Sequence, residues 1–469
     1  MTLKELTKLF LQAVKGQEVD YTKGTINTAL ILLAIPMMLE MVMESLFAIV
    51  DVFFVAKISN HAVATIGMTE GVLMLVESVA IGIAMAATAM VARRVGEKKI
   101  EEASDVAVQA IFLGVVISIL TGIFAFYFTD EILRMMGGNE ALVQEGRSYT
   151  RIVLSLNIIL MLLFVLNGIF RAAGNPAIAM RTLWLSNGLN IILDPIFIFG
   201  LGPISGMGVT GAAIATCIGR GVGVLYQLYV LSSGGSLIKI YKHHVKPKII
   251  IITQLINVSA GGAGQFLIST ASWLFLIKIL AEVGNEIDGN GTILAGYTIG
   301  LRIIIFSILP SWGLANATAT LVGQNLGANQ PDRAEKTVWK AALFNVIFLF
   351  CVSLVFIFFA SPITGLFTMD ANVIKEASLC LTVLSFGYIF FAYQMTLNQA
   401  FNGAGDTYTP TAITFCVMWL VQIPVAYVTA IYLEWGSIAV YGTIVFSNFL
   451  ASMVTIFFFR RGKWKLVQV

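Results

Sequence analysis

Residues 37–51 read MMLEMVMESLFAIVD, an apolar run interrupted by one serine and by Glu40, Glu44 and Asp51. Each residue of an α-helix advances by about 100°, so Glu40 and Glu44 lie about 40° apart and Glu40 and Asp51 about 20°. All three share one narrow face. What that face does depends on where the helix lies.

The rest of the chain places it. Of 469 residues, 58% are hydrophobic and 12% are charged, against about 25% charged in soluble globular chains. Such a composition means a polytopic membrane protein. A net charge of +3 gives no reason to expect nucleic-acid binding. Cys217, Cys351, Cys380 and Cys416 all lie in apolar stretches without metal-ligand spacing, and read as buried small residues rather than a disulfide framework. His61, His243 and His244 lie outside the apolar runs, which argues against a histidine metal site or proton relay. No Walker A loop or nucleophile elbow is present, and the Gly-rich AGGAG at 260–264 fits close helix packing better than phosphate binding. The expectation is a protein that is not an enzyme, with no catalytic residues and no cofactor.

A membrane span needs about 20 mainly apolar residues. Such runs lie near 25–56, 62–92, 104–128, 148–170, 178–200, 208–232, 253–281, 292–317, 337–360, 376–400, 410–432 and 437–459, twelve in all. Lysine and arginine orient them: one alternate set of connecting segments holds 21 and the opposite set six. The positive-inside rule then puts both termini and the loop 233–252 in the cytoplasm of a bacterial inner-membrane protein. The leader MTLKELTKLFLQAVKGQ is amphipathic, lysine-bearing and too polar for a cleavable signal core. It reads as a helix lying on the membrane surface.

Two pairs of segments expose a repeat. TAMVARRVGEKKIEEA at 88–103 resembles ATLVGQNLGANQPDRA at 319–334, and NGIFRAAGN at 167–175 resembles NQAFNGAGD at 398–406. Both pairs keep one offset, 231 residues. The chain is thus predicted to be all-α, with twelve spans in two parallel six-helix repeats, the architecture of secondary transporters whose substrate site lies between the repeats. The boundaries expected are 1–24 for the cytoplasmic N-terminal segment, 25–232 and 253–460 for the two lobes, 233–252 for their linker and 461–469 for the tail.

Charged side chains inside a span cost about 2.5–3.5 kcal/mol each on insertion scales, so they are usually functional or paired. Besides the three acids of span one, span two carries Glu70 and Glu77, seven apart on one face. Taking about 1.5 Å per residue from the outer ends puts Asp51 at ~9 Å, Glu70 at ~12 Å, Asp194 at ~9 Å and Thr216 at ~12 Å. Asn190 shares a face with Asp194, four residues on. Asp51, Glu70, Asn190, Asp194 and Thr216 therefore share a depth in the outer half of the first lobe. Two carboxylates with amide and hydroxyl oxygens form a hard-oxygen set suited to Na⁺, and the same pair, desolvated and mutually repelling, is equally able to carry H⁺. Glu44, Glu40 and Glu77 lie deeper, at ~20–25 Å. Three roles are open to them: extending a proton path, lining the cavity against cationic substrate, or acting as neutral hydrogen-bonders. Pro36, fifteen residues before Asp51, either bends span one during transport or kinks it statically. Met43, Phe47, Met68, Met74, Phe164 and Trp273 are the candidates for an apolar substrate cavity, since thioethers and ring faces suit varied cations. In the second lobe, mid-span carboxylates are absent and Gln265 and Gln394 stand instead. Glu282 and Lys278 are expected to form a local pair.

The 6+6 repeat, LVGQNLGANQ with its partner VARRVGEKK, the proline fifteen residues before the first-span aspartate and the GAGD loop resemble the multidrug and toxic compound extrusion (MATE) family over essentially the whole chain. Asp51, the Asn190–Asp194–Pro195 motif and Thr216 within GAAIAT resemble its DinF-like branch, where the matching positions form the cation site of the N-terminal lobe. The resemblance implies an antiporter exporting organic, often cationic, compounds in exchange for Na⁺ or H⁺, working as a monomer in the lipid bilayer. The rival class is a flippase for lipid-linked sugar or peptidoglycan precursors, of related fold. Such a protein needs a cationic cavity, and few basic residues lie mid-span here, Arg220 and Arg302 among them.

Overall fold

Inside a bilayer each backbone N–H and C=O must be satisfied within the protein, and a helix does this with its own residues. The structure, a computed structural model, describes residues 3–16, 19–55, 57–58, 60–287 and 291–469. After the amphipathic α1 (Leu3–Lys15), the first lobe comprises α2 (Ile26–Val55), α3 (Asn60–Gly96), α4 (Ile100–Tyr127), the short α5 (Thr129–Met135), α6 (Glu140–Ser155) leading into α7 (Asn157–Ala172), α8 (Pro176–Phe199) and α9 (Val209–Ser233). A two-residue hairpin, β1 (Gly200–Leu201) with β2 (Ile204–Ser205), joins α8 to α9. The second lobe holds α10 (Ile249–Ile287), α11 (Thr292–Gly327), α12 (Pro331–Thr364), α13 (Ala371–Ser385), α14 (Tyr388–Ala404), α15 (Tyr408–Val417), α16 (Ile423–Tyr427) and α17 (Ser437–Arg460). Eleven helices among the described residues are long and apolar enough to cross a membrane, and the bent pair α13–α14 supplies a twelfth span.

The repeat is visible in the backbone. Moving Ile100, Glu140 and Asn157 forward by 231 gives the first residues of α12, α13 and α14. Asn139 and Asp370, related by the same step, each cap a helix start with a side-chain oxygen. Lys98 (φ 64°) and Asn329 (φ 56°) end matching helices in left-handed conformation, as do Gly174 (φ 88°) and Gly405 (φ 91°).

Three departures from straight spans fall in the second lobe, one of them a kink at Phe359 near the end of α12 (φ −123°, ψ 21°). The run at 376–400 is not one rod: α13 and α14 meet at 56°. Gly387 stands at that junction, where the first lobe has Leu156, itself the break between α6 and α7. The run at 410–432 contains two π-turns, Met418–Gln422 and Val428–Tyr432, on either side of Pro424, which has no N–H for the ladder. The expected Lys278–Glu282 pair does not form within 4.0 Å. The loop at 282–291 includes residues 288–290, which lie outside the described residues.

The lobes meet along α2 with α11 and α3 with α10, and also where α3 and α11 end. The closest approaches are backbone to backbone. A Cβ on Gly96 would lie 2.1 Å from the Gln324 carbonyl oxygen, and one on Gly327 would lie 2.1 Å from that of Arg93. These two contacts are the same contact seen from each repeat. Polar ties reinforce them: Gln324 donates to Ala172 O (2.9 Å), Arg93 to Val467 O and Arg94 to Val469 O (3.2 Å). The segment 20–24 bridges the lobes, with Asp20 on Lys98 (2.9 Å), the Tyr21 hydroxyl on Gly174 O (3.0 Å) and Arg333 donating to the carbonyls of Tyr21, Lys23 and Gly24. Burial opposes the Asp20 charge, but hydrogen bonds from Thr22 and Lys98 outweigh it and take the pKa from 3.8 to about 2. All these ties lie at the end that carries the basic loops, so the two lobes are sealed there.

The linker lies on the first lobe. Gln109 of α4 donates to the carbonyls of His244 and Lys246 and accepts from Lys248 N–H, and Lys248 pairs with Asp105 at 2.5 Å. His244 Nδ1 accepts the Tyr241 N–H, which leaves the proton on Nε2, pointed at Glu101 2.8 Å away. This is a hydrogen-bonded tether: the nitrogen facing the carboxylate has no lone pair to offer a metal.

Candidate functional site

The acidic face of α2 meets a cavity of about 280 Å³ between the lobes. Glu40, Glu44, Glu77, Arg171, Arg220 and Phe164 line its first-lobe side. Phe266, Trp312, Asn316, Gln399 and Asn402 line the other. One wall is charged and the opposite wall is aromatic and amide.

Opposite charges face each other on the first wall. Glu40 on α2 is 1% exposed, with Arg171 Nη1 3.8 Å from its Oε1. Neither carboxylate oxygen has a hydrogen bond among the described residues, so the arginine is the compensation for a buried acid. Arg171 is held from behind by its own helix, donating from Nε to Asn167 O (3.1 Å). One turn along α2, Glu44 accepts from Asn187 Nδ2 (3.0 Å) and lies 3.5 Å from Arg220 Nη2. The Arg220 guanidinium also sits 5.1 Å over the Phe47 ring, a cation–π contact that fixes its orientation. Glu77 on α3 completes the acidic set without a salt bridge among the described residues. On the amide wall, Gln399 donates to Asn316 Oδ1 (2.8 Å) and Asn402 to Gln265 Oε1 (3.3 Å).

A second polar group lies between α8 and α9. These helices approach closely because Gly219 and Gly223 face them: a Cβ on Gly219 would be 2.7 Å from Ser186 O. In the space so closed, Asn190 Nδ2 donates to Asp194 Oδ1 (3.2 Å) and to Thr216 Oγ1 (3.1 Å). Asn190 and Asp194 are buried, and the Asn190 Oδ1 acceptor has no hydrogen bond among the described residues. An unsatisfied buried carbonyl oxygen beside a carboxylate and a hydroxyl fits a small hard cation. The group is joined to the cavity. Asn187 lies one turn before Asn190 on α8, and Arg220 lies one turn after Thr216 on α9. Both end on Glu44.

Of the five residues expected to hold a coupling cation, the structure brings Asn190, Asp194 and Thr216 together. Glu70 sits exposed on α3, two turns from Glu77. The side chain of Asp51 lies outside the described residues. The three deeper acids, Glu40, Glu44 and Glu77, all line the cavity. Among the apolar candidates, Phe164 lines it and Phe47 reaches it through Arg220. Met43 is buried, Met74 is 39% exposed, Met68 packs beside Leu133 and Leu142, and Trp273 is half-buried on α10. Pro36 is buried within α2, one turn before Glu40. Sequence reasoning missed Arg171 as a cavity residue, because at a helix end it had counted only toward membrane orientation. It also missed Asn316, Gln399 and Asn402. The signal available for Asn402 was the repeat, since it stands one offset from Arg171.

With the geometry in place, comparison with known proteins gives four findings. The MatE family model matches residues 36–196 and 264–428. A curated relative, the probable multidrug resistance protein NorM of Thermotoga maritima, is 28% identical over 445 residues, 94% of this chain and 93% of its own. A second, an FAD transporter of Shewanella oneidensis, is 25% identical over 81% of this chain and 83% of its own. Among solved structures, the outward-facing conformation of a multidrug resistance MATE family transporter of the MOP superfamily superposes with a TM-score of 0.88 at 25% identity, covering 96% of this chain and 99% of the other.

Proposed function

The chain belongs to the MatE family, a family of membrane transporters, and from that premise we propose that it is an antiporter exporting organic cations in exchange for H⁺ or Na⁺. The observation that carries this is the polar ladder inside the first lobe. Asp194, Asn190 and Thr216 hold the cation, with Asp51 and Glu70 at the same depth. Asn187 and Arg220 pass the change in charge to Glu44 at the cavity. Neutralising Asp194 withdraws the negative partner of Asn190 and loosens the hold of that network on Glu44. Glu44, Glu40 and Glu77 then release a cationic cargo as the coupling ion enters. In this scheme Pro36 lets the inner half of α2 bend while its outer half stays with α8, and both termini and the linker face the cytoplasm of a monomer in the inner membrane.

Charge balance supports an organic cation as cargo. Three carboxylates and two guanidinium groups line the cavity, and Arg171 and Arg220 each face a glutamate. A dinucleotide such as the Shewanella relative carries, or a lipid pyrophosphate, needs arginines free to take phosphate oxygens. The trial is ethidium flux in proteoliposomes with Na⁺ and pH gradients imposed separately. One of the two should drive accumulation. Flux that ignores both gradients, or that appears only with a polyprenyl-pyrophosphate cargo, would overturn antiport of organic cations.

A further inference from the structure

A second cavity, of about 460 Å³, lies away from the transport pathway on the flank where the lobes meet. Its walls come from four helices: Thr7 and Phe10 of α1, Ile31 and Ile35 of α2, Leu314 of α11, and Phe344 and Phe348 of α12. Thr7 is its single polar lining residue among those described. Helix α1 roofs this trough. It is pinned there from behind by Ala13, buried against α2, and by Arg181, which donates to the carbonyls of Val14 and Lys15.

The mouth has the opposite character. Lys336, Lys340, Phe344 and Phe348 succeed one another at intervals of four on α12, which puts them on one helix face. Charge stands toward the end with the basic loops, and rings stand toward the middle of the span. On α1, Lys4 and Lys8 lie within three residues of the lining Thr7. All four lysines are exposed, and none has an ion pair among the described residues. Elsewhere on this face lysines do find acids, as Lys98, Lys248 and Lys465 show.

An apolar trough at membrane depth, ending in four unpaired ammonium groups at headgroup level, matches one class of molecule. We propose that it holds an anionic phospholipid, with an acyl chain between α2 and α12 and the phosphate on Lys336 and Lys340 beneath the α1 lysines. A soluble anion lacks the chain that fills the trough, and a zwitterionic lipid gains little from the lysines. Because the walls belong to both lobes, the lipid holds α2 against α12 and favours the state sealed at the basic-loop end.

Native mass spectrometry of the full chain tests this, with phosphatidylglycerol and phosphatidylcholine of identical acyl chains offered in equal amounts. The wild type should retain phosphatidylglycerol in preference. Lys336→Gln with Lys340→Gln should lower that preference by roughly fivefold per lysine, without touching a buried group. Ile35→Trp should fill the trough and reduce adducts of both lipids. Equal retention of the two lipids by the wild type overturns the proposal. So does a preference that survives the double glutamine change, retention unaltered by Ile35→Trp, or an equal adduct with glycerol phosphate alone.

Discussion

The two lobes share a fold and differ in chemistry. One offset of 231 residues relates the starts of α4, α6 and α7 to those of α12, α13 and α14, their capped ends, and the reciprocal glycine contacts Gly96–Gln324 and Gly327–Arg93. Applied to the cavity, the same offset turns Glu77 into Ile308 and Arg171 into Asn402. The fold needs small residues where backbones cross, and both repeats keep them. Coupling needs groups that gain and lose charge, and the first lobe alone has them mid-span. The apparently symmetric molecule is thus divided at the cavity: the first lobe lines it with carboxylates and guanidinium groups, and the second with aromatic rings and amides.

The largest effect that tests this division is in the coupling group. Asp51→Asn and Asp194→Asn should each remove gradient-driven efflux from cells while the protein still inserts, whereas Gln394→Leu, which gives the second lobe the first lobe's Leu163, should leave coupling intact. Drug-resistance assays with membrane-fraction blots decide it, and parental efflux from either asparagine variant would break the division. Next come the glycines, where the lobes should behave alike. Gly96→Val and Gly327→Val each drive a side chain into a carbonyl, and each should cost about 1–3 kcal/mol. Thermal unfolding in detergent should show similar losses for the two, and tolerance of one but not the other would show that the seal is less symmetric than its geometry.

Much of this was legible in the sequence, and the reasons are local. A helix converts spacing into direction, so Glu40 and Glu44 could be placed on one face, and the cavity lies along that face. Depth could be counted in residues, and Asn190, Asp194 and Thr216 do meet. What faces what across the lobes is not written in any periodicity. Arg171 reads as a topology charge until Glu40 is seen beside it, and Gln399 and Asn402 read as ordinary buried amides. The bend at Gly387 was hidden because a run of apolar residues has the same composition whether straight or broken.

Smaller effects sharpen the picture within the first lobe. Arg220→Gln and Glu44→Gln should each raise the substrate KM several-fold. Glu44 is a third exposed, so the coupling between them in a double-mutant cycle should be about 1 kcal/mol or less. A cycle with no coupling would remove Glu44 as the point where ladder and cavity join. Smallest is the Asp20 bridge. Its folded pKa lies below the ordinary value of 3.8, so its stabilisation is complete above that value and is lost as pH falls toward 2. Asp20→Asn should melt slightly lower at neutral pH and lose the difference from wild type by about pH 2. A difference that persists at that pH would mean the bridge does not depend on the carboxylate.

The most direct measurement is cation release on substrate binding. Purified protein, loaded with Na⁺ or H⁺ and mixed with ethidium, should release the coupling ion in the wild type and in Gln394→Leu. Asp194→Asn should bind ethidium and release none. Release from Asp194→Asn at the wild-type yield would contradict coupling through the first lobe.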